Sequence, residues 1–412
     1  MLAICGLVCF AAGYGQTYSV SAFVDPVLAD LGISRGLLST AYALGTAVGG
    51  LVVLLVGRHL DRHGSRGVMM GAAVGLALGL LVLSVATAPW MLFLGFPMIR
   101  TFGQGLMPLS ARVVIPNWFF RYRARAFGIL GLALTLSVAV VPLVNLCLID
   151  WLGWRMAWRV CAVGLVIVVV PVVFRFLRDR PEDVGQLPDG APVEPGIAPL
   201  TDAGIGLSLA AARRTPAFWG FVAAGVVPPL ITTGLHLHQV AIFADRGTPH
   251  AIAAATFTIE AIAMLGANLV VGGLNDRVSP RVLLGAGLTM MAATLLALFF
   301  SGNPAIAVAY GALRGASNGL TGVAIDVAWP TYYGRRHLGS IRGFSMAASL
   351  FGSAIGPLPF GFAVSLFGGY SPAILGLMVL PLIVAVWIVL APPPALLPEP
   401  EHAVVAVAPL GR

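Results

Sequence analysis

The chain has 412 residues, of which 58% are hydrophobic and only 10% are charged. Soluble globular domains carry roughly 25% charged residues, so 24 basic and 16 acidic residues could not cover a water-exposed surface of this size. The composition predicts a membrane protein that crosses the bilayer several times. It excludes a cytosolic enzyme, a disordered chain and a disulfide-rich scaffold.

The net charge of +8 would suit a nucleic-acid-binding protein, but the distribution of the charges argues against that partner. Every basic residue is Arg, and most stand in short clusters between apolar runs, as in cytoplasmic loops. The four Cys residues lie in apolar runs without the spacing of a metal site. We expect no metal, no other cofactor and no nucleic acid; the expected partners are the lipid bilayer and a small-molecule substrate.

The apolar runs predict the membrane spans, because a helix needs about 20 apolar residues to cross the hydrocarbon core. Arg clusters and Gly/Pro turns bound twelve such runs: 2–24, 37–57, 67–87, 90–116, 125–149, 155–177, 216–240, 251–273, 281–301, 304–329, 342–368 and 371–391. The last two are divided at a predicted hairpin over 368–372. The predicted fold class is all-α, with an N-terminal six-helix bundle over 1–177 and a C-terminal one over 216–391.

Arg counts orient these spans. With the N-terminus inside, sixteen Arg residues lie in loops on that side and four on the other, so the positive-inside rule places both termini in the cytoplasm of a cell (inner) membrane. Met1 leads directly into an apolar run without a basic leader, which favours a span over a signal peptide. The stretch 178–215 is a predicted cytoplasmic linker with a short interfacial helix over 207–214, and 392–412 is a predicted disordered tail.

The two halves of the sequence repeat. Corresponding landmarks occur in the same order at offsets of 214 or 215 residues, namely Asp61-Arg62 with Asp276-Arg277, Arg66 with Arg281, Arg100 with Arg314 and Pro142 with Pro357. Six spans per half give both halves the same orientation, so the repeat is parallel. This arrangement is typical of transporters that bind substrate between two bundles.

Isolated polar groups in the spans are candidates for the substrate site, since an ionisable group near the bilayer centre costs at least about 2.5 kcal/mol. Glu260 is the tenth residue of its predicted span, where burial would favour a neutral carboxyl that takes up a proton. It is either the proton- or substrate-coupling site or a structural acid that is paired with Arg314 or hydrogen-bonded to a neighbouring helix. Arg100 and Arg314 are each followed four residues later by an amide, Gln104 or Asn318, a combination that suits a carboxylate. The alternative for Arg100 is a structural role.

Two weaker groups of polar residues join these candidates. His236 and His238 are two residues apart on the seventh span, so they face different directions. One of them could line the cavity as a proton relay; the alternative for each is a histidine satisfied at the membrane interface. Gln16 and Tyr18 belong to a polar stripe on the first span, which lines either a cavity or a helix contact.

Two further features indicate moving parts. Arg112 and Asp326 occupy equivalent positions with opposite charge near the inner ends of the fourth and tenth spans, where they could pair across an inner gate. Gly352, Gly356 and Pro357 on the eleventh span allow close helix approach and a kink. We therefore add these five residues to the gating candidates.

Several of these segments resemble the major facilitator superfamily. Residues 57–66 (GRHLDRHGSR) are similar to the cytoplasmic loop that marks the family, 273–281 are a more degenerate copy, and 100–105 (RTFGQG) are similar to its Arg-bearing fourth-helix motif. Within the superfamily, the chain resembles the branch of monocarboxylate transporters and oxalate–formate exchangers at 13–26 (beginning GYGQ), 180–190 (beginning RPEDVG) and 215–219 (TPAFW).

The resemblance implies a secondary transporter rather than an enzyme. It would move a small organic anion of the monocarboxylate type by alternating access, with a proton or by exchange, and it would function as a monomer. Charged latches are then expected to close the cytoplasmic side at Asp61, Arg62, Arg66, Asp276, Arg277 and Arg281. A proton-coupled drug or metabolite exporter of the same superfamily is the alternative, and a membrane enzyme or sensor without transport is the remote one.

Overall fold

The computed structural model describes residues 1–190, 206–274, 277–392 and 394. The regular structure in them is helical and forms twelve spans, numbered α1 to α12 in chain order. The spans form two six-helix bundles, α1–α6 (the N-bundle) and α7–α12 (the C-bundle), related by the parallel repeat. Most of the predicted tail and part of the predicted linker lie outside the described residues.

Seven spans are single helices. They are α2 (Arg35–His63), α3 (Ser65–Ser84), α7 (Pro216–Asp245), α8 (His250–Leu274), α9 (Pro280–Phe299), α10 (Pro304–Tyr333) and α12 (Ser371–Leu390). Side-chain caps fix the residue at which two of these helices begin. Ser34 Oγ accepts from Leu37 N–H at the start of α2, and Thr215 Oγ1 accepts from Phe218 N–H at the start of α7. The predicted ends of the second and tenth spans were too early, because polar residues continue both helices beyond the apolar run.

The other five spans are broken or joined. The pieces are Leu2–Ala11, Thr17–Ser21 and Val24–Leu31 in α1; Leu92–Ile99, Arg100–Leu106 and Met107–Trp118 in α4; and Leu338–Ile355 and Pro357–Phe367 in α11. Spans α5 and α6 share the run Arg123–Phe176 and are separated at Gly153, whose φ is 78°. The predicted continuous first helix over 2–24 is therefore wrong, since Gln16 is extended and the last piece reaches Leu31.

Length and hydropathy alone identify eight helices in the described residues that could cross a membrane. One of them contains both α5 and α6, so the eight account for nine spans. The remaining three are α1 and α4, which are interrupted, and α10, which carries Arg314 and Asp326. The three spans that fail the criteria of length and hydropathy thus hold many of the candidate site residues.

The two bundles meet in backbone contact at one end, which we call the basic face because the end of α2 carries Arg58 and Arg62 there and the α10–α11 connection carries Arg336. A Cβ built on Gly57 of α2 would lie 2.5 Å from the carbonyl oxygen of Gly339 in α11. Span α5 packs on α8 in the same half of the molecule, where Asn268 Nδ2 donates to Thr135 Oγ1 at 3.2 Å. Two seams therefore close this face.

Candidate transport site and gate

A buried ion pair joins α8 to α10. The Nε atom of Arg314 lies 3.1 Å from Oε1 of Glu260, and their side chains are 2% and 10% exposed. Arg314 lies about 15 Å along α10 from its first residue and about 28 Å from its last, so the pair is deep within the bundle. Asn318 Nδ2 also donates to Glu260 Oε1, at 3.1 Å. The structure thus brings together three residues that the sequence indicated.

Two more residues complete this group, which we call the Arg314 cluster (Gln239, Glu260, Tyr310, Arg314 and Asn318). Arg314 Nη1 donates to Gln239 Oε1 and, at 2.8 Å, to the Tyr310 hydroxyl. Gln239 Nε2 is held by Thr256 Oγ1 at 2.7 Å. The sequence analysis missed Gln239 and Tyr310, although an amide three residues after His236 and a Tyr four residues before Arg314 are visible signals of a shared helix face.

The Arg314 cluster retains binding capacity. Arg314 Nη2 is buried without a hydrogen-bond partner among the described atoms, and a guanidinium carries five donors. His236 Nε2 lies 3.7 Å from Glu260 Oε2, and the His236 side chain is 48% exposed. The cluster therefore has an unsatisfied donor, and one of its carboxylate oxygens lies beside a half-exposed imidazole. His238 faces elsewhere, between Phe360 and Tyr370.

The corresponding Arg in the N-bundle is held by helices of its own bundle. Arg100 is 2% exposed. Its Nε donates to Thr46 Oγ1 at 2.9 Å, its Nη1 donates to the Gly15 carbonyl at 3.2 Å, and its Cζ lies 4.6 Å from the Tyr42 ring centroid. This arrangement favours the structural alternative for Arg100. Gln104, one π-helical turn further on, keeps a buried Oε1 without a hydrogen-bond partner among the described atoms.

The break in α1 explains what Arg100 does. Residues Ala12–Gly15 form a 3₁₀ turn, which frees backbone carbonyls that water cannot satisfy inside a bilayer. A Cβ built on Gly103 would lie 2.7 Å from the Cα of Gly15, so α1 and α4 cross at two glycines and the guanidinium reaches the freed carbonyl.

The two polar candidates of the first span lie at or beside this break. Gln16 lies at the break and is partly exposed. The Tyr18 hydroxyl is 2.9 Å from Ser137 Oγ of α5.

Asp61 links the two bundles on the basic face. Its Oδ1 accepts from Gly339 N–H at 2.6 Å, and its Oδ2 accepts from Ser340 N–H at 2.8 Å and from the Ser340 hydroxyl. These amides belong to the first turn of α11, where a carboxylate also interacts favourably with the helix dipole. The predicted latch position thus makes inter-bundle contacts, while its gating role stays a prediction.

The two Arg residues after Asp61 differ in their surroundings. Arg62 lines an open cavity on the basic face. Arg66 contacts α6 within its own bundle, donating to the Phe174 carbonyl and lying 5.2 Å from that ring. Asp179, which the sequence analysis missed, accepts from the Ser65 and Arg66 N–H groups. Burial raises the pKa of Asp179, and these two hydrogen bonds oppose the rise.

The second copy of the motif is only partly described. Asp276 lies outside the described residues, and Arg277 follows it in the loop before α9. Arg281 repeats the arrangement of Arg66: its Nη1 donates to the Ala391 carbonyl at the end of α12, at 2.9 Å, and its Cζ lies 5.9 Å from the Tyr332 ring. The repeat therefore extends to side-chain contacts within each bundle.

A charged group also bridges α4, α10 and α11. Arg112 Nε lies 3.0 Å from Asp326 Oδ2, and Arg342 Nη2 contacts Asp326 Oδ1. The pairing of Arg112 with Asp326 that the repeat suggested is present, and Arg342 is a partner that the sequence analysis missed. Because Arg112 and Asp326 come from different bundles, this contact must break if the bundles separate on the basic face.

The glycines of α11 pack against α7. A Cβ on Gly352 would lie 2.8 Å from Val226 Cγ1, and Gly356 is in similarly close contact with the backbone of α7. The helix is interrupted between Ile355 and Pro357. The predicted close approach and break are present; whether they hinge during a gating movement stays a prediction.

Fold and site together define a class: a multi-pass membrane protein of two similar bundles, with buried charges deep in the spans and a closed seam at one end. The family model described as Major Facilitator Superfamily matches residues 5–243 and 224–410, so the chain belongs to this family. It is a secondary transporter of a small-molecule substrate, in a family whose members typically work as monomers. A comparison with curated proteins finds no match.

Solved structures show the same fold. The chain is similar to the proton:xylose symporter XylE bound to 6-bromo-6-deoxy-D-glucose, with a TM-score of 0.72, 14% identity and 94% of each chain covered. It is also similar to the human organic anion transporter MFSD10 (TETRAN), with a TM-score of 0.70, 15% identity, and 94% of this chain and 98% of that one covered. At these identities the likeness concerns the fold alone.

Proposed function

We propose that this transporter moves a small organic anion, of the monocarboxylate type, by alternating access, and that the Arg314 cluster is its binding and coupling site. The observation that carries the proposal is the buried contact of Arg314 with Glu260. The structural neighbours are described as transporting an organic anion or xylose with a proton. The fold therefore accommodates either substrate class, and the choice of an anion rests on residues of this chain.

Charge balance connects the pair to coupling. A guanidinium stays protonated in proteins, and a buried charge without a counterion is strongly unfavourable. Arg314 therefore needs either the Glu260 carboxylate or the carboxylate of a substrate. If Glu260 takes up a proton, Arg314 is released to bind the anion bidentately, and one proton then accompanies one negative charge. If Glu260 stays ionised, the substrate anion must displace the Glu260 carboxylate from Arg314 and carries no proton with it. This case favours the exchange of one anion for another.

The exposed imidazole gives the proton a route. His236 is 48% exposed while Glu260, 3.7 Å away, is nearly buried. Histidine exchanges protons readily near neutral pH. We assign His236 as the relay between solvent and Glu260. We assign Gln104 of the N-bundle as a polar contact on the opposite wall, where its Nε2 can donate to the substrate carboxylate.

We further propose that the basic face is cytoplasmic and that the protein lies in the cell membrane, because the positive-inside rule puts the Arg-rich loops there. The structure is closed on that face through Gly57, Asp61 and Arg112. It then corresponds to the state in which substrate reaches the Arg314 cluster from the outside.

Flux into proteoliposomes tests the proposal. We expect uptake of labelled lactate, pyruvate or formate to rise with an inward proton gradient or a trans anion, and Arg314→Gln to abolish it. Arg159→Gln is the matched control, since Arg159 lies near the outer end of α6 and contacts Ser84. Carboxylate flux that ignores both the pH gradient and the trans anion would refute coupling. Proton-driven movement of a cationic drug without carboxylate flux would instead favour the exporter.

A further inference from the structure

The cavity that Arg62 lines opens at the basic face. Its volume is about 790 Å³, and it is lined by α2 with Arg58, the end of α4 with Asn117, the α10–α11 connection with Arg336, the start of α11 with Ser340, and the linker with Arg180. It lies beyond the seams that close the basic face, at the end of α10 that is about 28 Å from Arg314. It is therefore distinct from the proposed substrate site.

The lining is strongly basic. Five Arg residues face three acidic ones across this cavity. Two of the acids accept backbone hydrogen bonds within the lining: Asp61 accepts from the first turn of α11, and Asp183 Oδ2 accepts from the Arg180 N–H at 3.2 Å. The lining keeps an excess of two positive charges. Converging cationic side chains with low-dielectric walls concentrate anions. The cavity therefore has the electrostatics of an anion site of ligand size.

We propose that this cavity binds a soluble anion carrying several phosphate-type charges, such as an organic polyphosphate. Guanidinium groups match phosphate oxygens bidentately, and Arg58, Arg62, Arg180 and Arg336 line the space. Arg335 lines it too, but its Nη1 already donates to the carbonyls of Pro116 and Asn117 at the end of α4. A lipid headgroup offers the same phosphate chemistry. The walls belong to the centre of the molecule, between the two bundles and the linker, which favours a soluble ligand over a lipid held at the perimeter.

Such a ligand would regulate transport. Arg58 and Arg336 belong to different bundles, and they line one cavity while Gly57 and Gly339 are in contact. When the seam opens, the two walls separate and the ligand loses its contacts with one of them. A ligand that prefers one state shifts the population toward it. Occupancy of this cavity therefore stabilises the closed basic face and slows the transport cycle.

Calorimetric titration of the purified full-length protein with inorganic pyrophosphate tests the proposal. The protein is placed in nanodiscs of zwitterionic lipid at physiological ionic strength. We expect saturable binding that the double variant Arg58→Gln/Arg336→Gln weakens at least about tenfold, through loss of two charge-assisted contacts. Arg58→Gln alone gives an intermediate effect and serves if the double variant does not fold. Arg175→Gln, on the same face outside the lining, is the matched control.

Three results would show that pyrophosphate does not bind at these residues: no binding to the unaltered protein, binding unchanged in the double variant, or equal weakening by Arg175→Gln. A fourth result, loss of binding in Arg314→Gln, would place pyrophosphate in the transport site. Each of the four would overturn the proposal. A further arm uses nanodiscs with phosphatidylglycerol. If anionic lipid displaces pyrophosphate, the occupant is a headgroup and the soluble ligand is refuted; retained binding supports it. Since the binding assay needs no transport, its result is independent of the proposed substrate and coupling.

Discussion

Replacing Glu260 by Gln is the most informative perturbation of this protein. The substitution keeps the size of the side chain and one oxygen that can accept from Asn318 and Arg314. It removes the negative charge beside a guanidinium that is 2% exposed. The structure therefore predicts that the variant is destabilised chiefly because Arg314 loses its counterion.

The magnitude follows from the burial of the pair. Removing one partner of a buried ion pair costs about 3–5 kcal/mol, and the retained acceptor oxygen offsets part of that loss, so we expect about 2–3 kcal/mol for Glu260→Gln. Arg314→Gln should cost a similar amount. The double variant removes both charges, so its cost should fall below the sum by about 2 kcal/mol or more.

A double-mutant cycle in mixed detergent micelles, with unfolding followed by circular dichroism, measures this coupling. The matched control is the cycle of Arg155→Gln and Asp30→Asn, since that pair is 35% and 42% exposed and should couple by less than about 1 kcal/mol. Additive costs at Glu260 and Arg314, within about 0.5 kcal/mol, would refute the reasoning. In proteoliposomes, Glu260→Gln should also flatten the pH dependence of transport; an unchanged profile would remove its coupling role.

Three further predictions concern the gate and the helix crossings. Asp61→Asn leaves one carbonyl oxygen for the amides of α11, and a loss of about 1–2 kcal/mol should speed hydrogen exchange there 5- to 30-fold; unchanged exchange would contradict the latch. Arg112→Gln should speed exchange in both seams on the basic face, and an effect confined to α4 would contradict a bridging role. Gly103→Ala should lower the thermal midpoint, since its Cβ would meet Gly15, whereas Gly67→Ala has open space and should be neutral or stabilising; equal midpoints would contradict the close crossing.

Much of the fold could be predicted because its cause is local. Apolar runs of about 20 residues must become spanning helices, since a bilayer leaves backbone groups no partner except the helix itself. The parallel repeat was visible because Asp61 and Arg66 have counterparts at a constant offset. The break in α1 could not be predicted because its cause is not local: the freed carbonyl is satisfied by Arg100, a residue 85 positions away that no local pattern connects to it.

The sequence by itself determined the membrane environment, the number of spans and the repeat. It also determined the few charged residues within the spans, which are unfavourable in a bilayer and are therefore candidates for function. Which charges meet was decided by the tertiary structure, because helix packing, and not spacing along the chain, sets distances between side chains on different helices. Packing placed Arg314 against Glu260 and Gln239, placed the equivalent Arg100 against the freed backbone of α1, and added Arg342 to Asp326. Two residues that the repeat makes equivalent thereby acquired different surroundings.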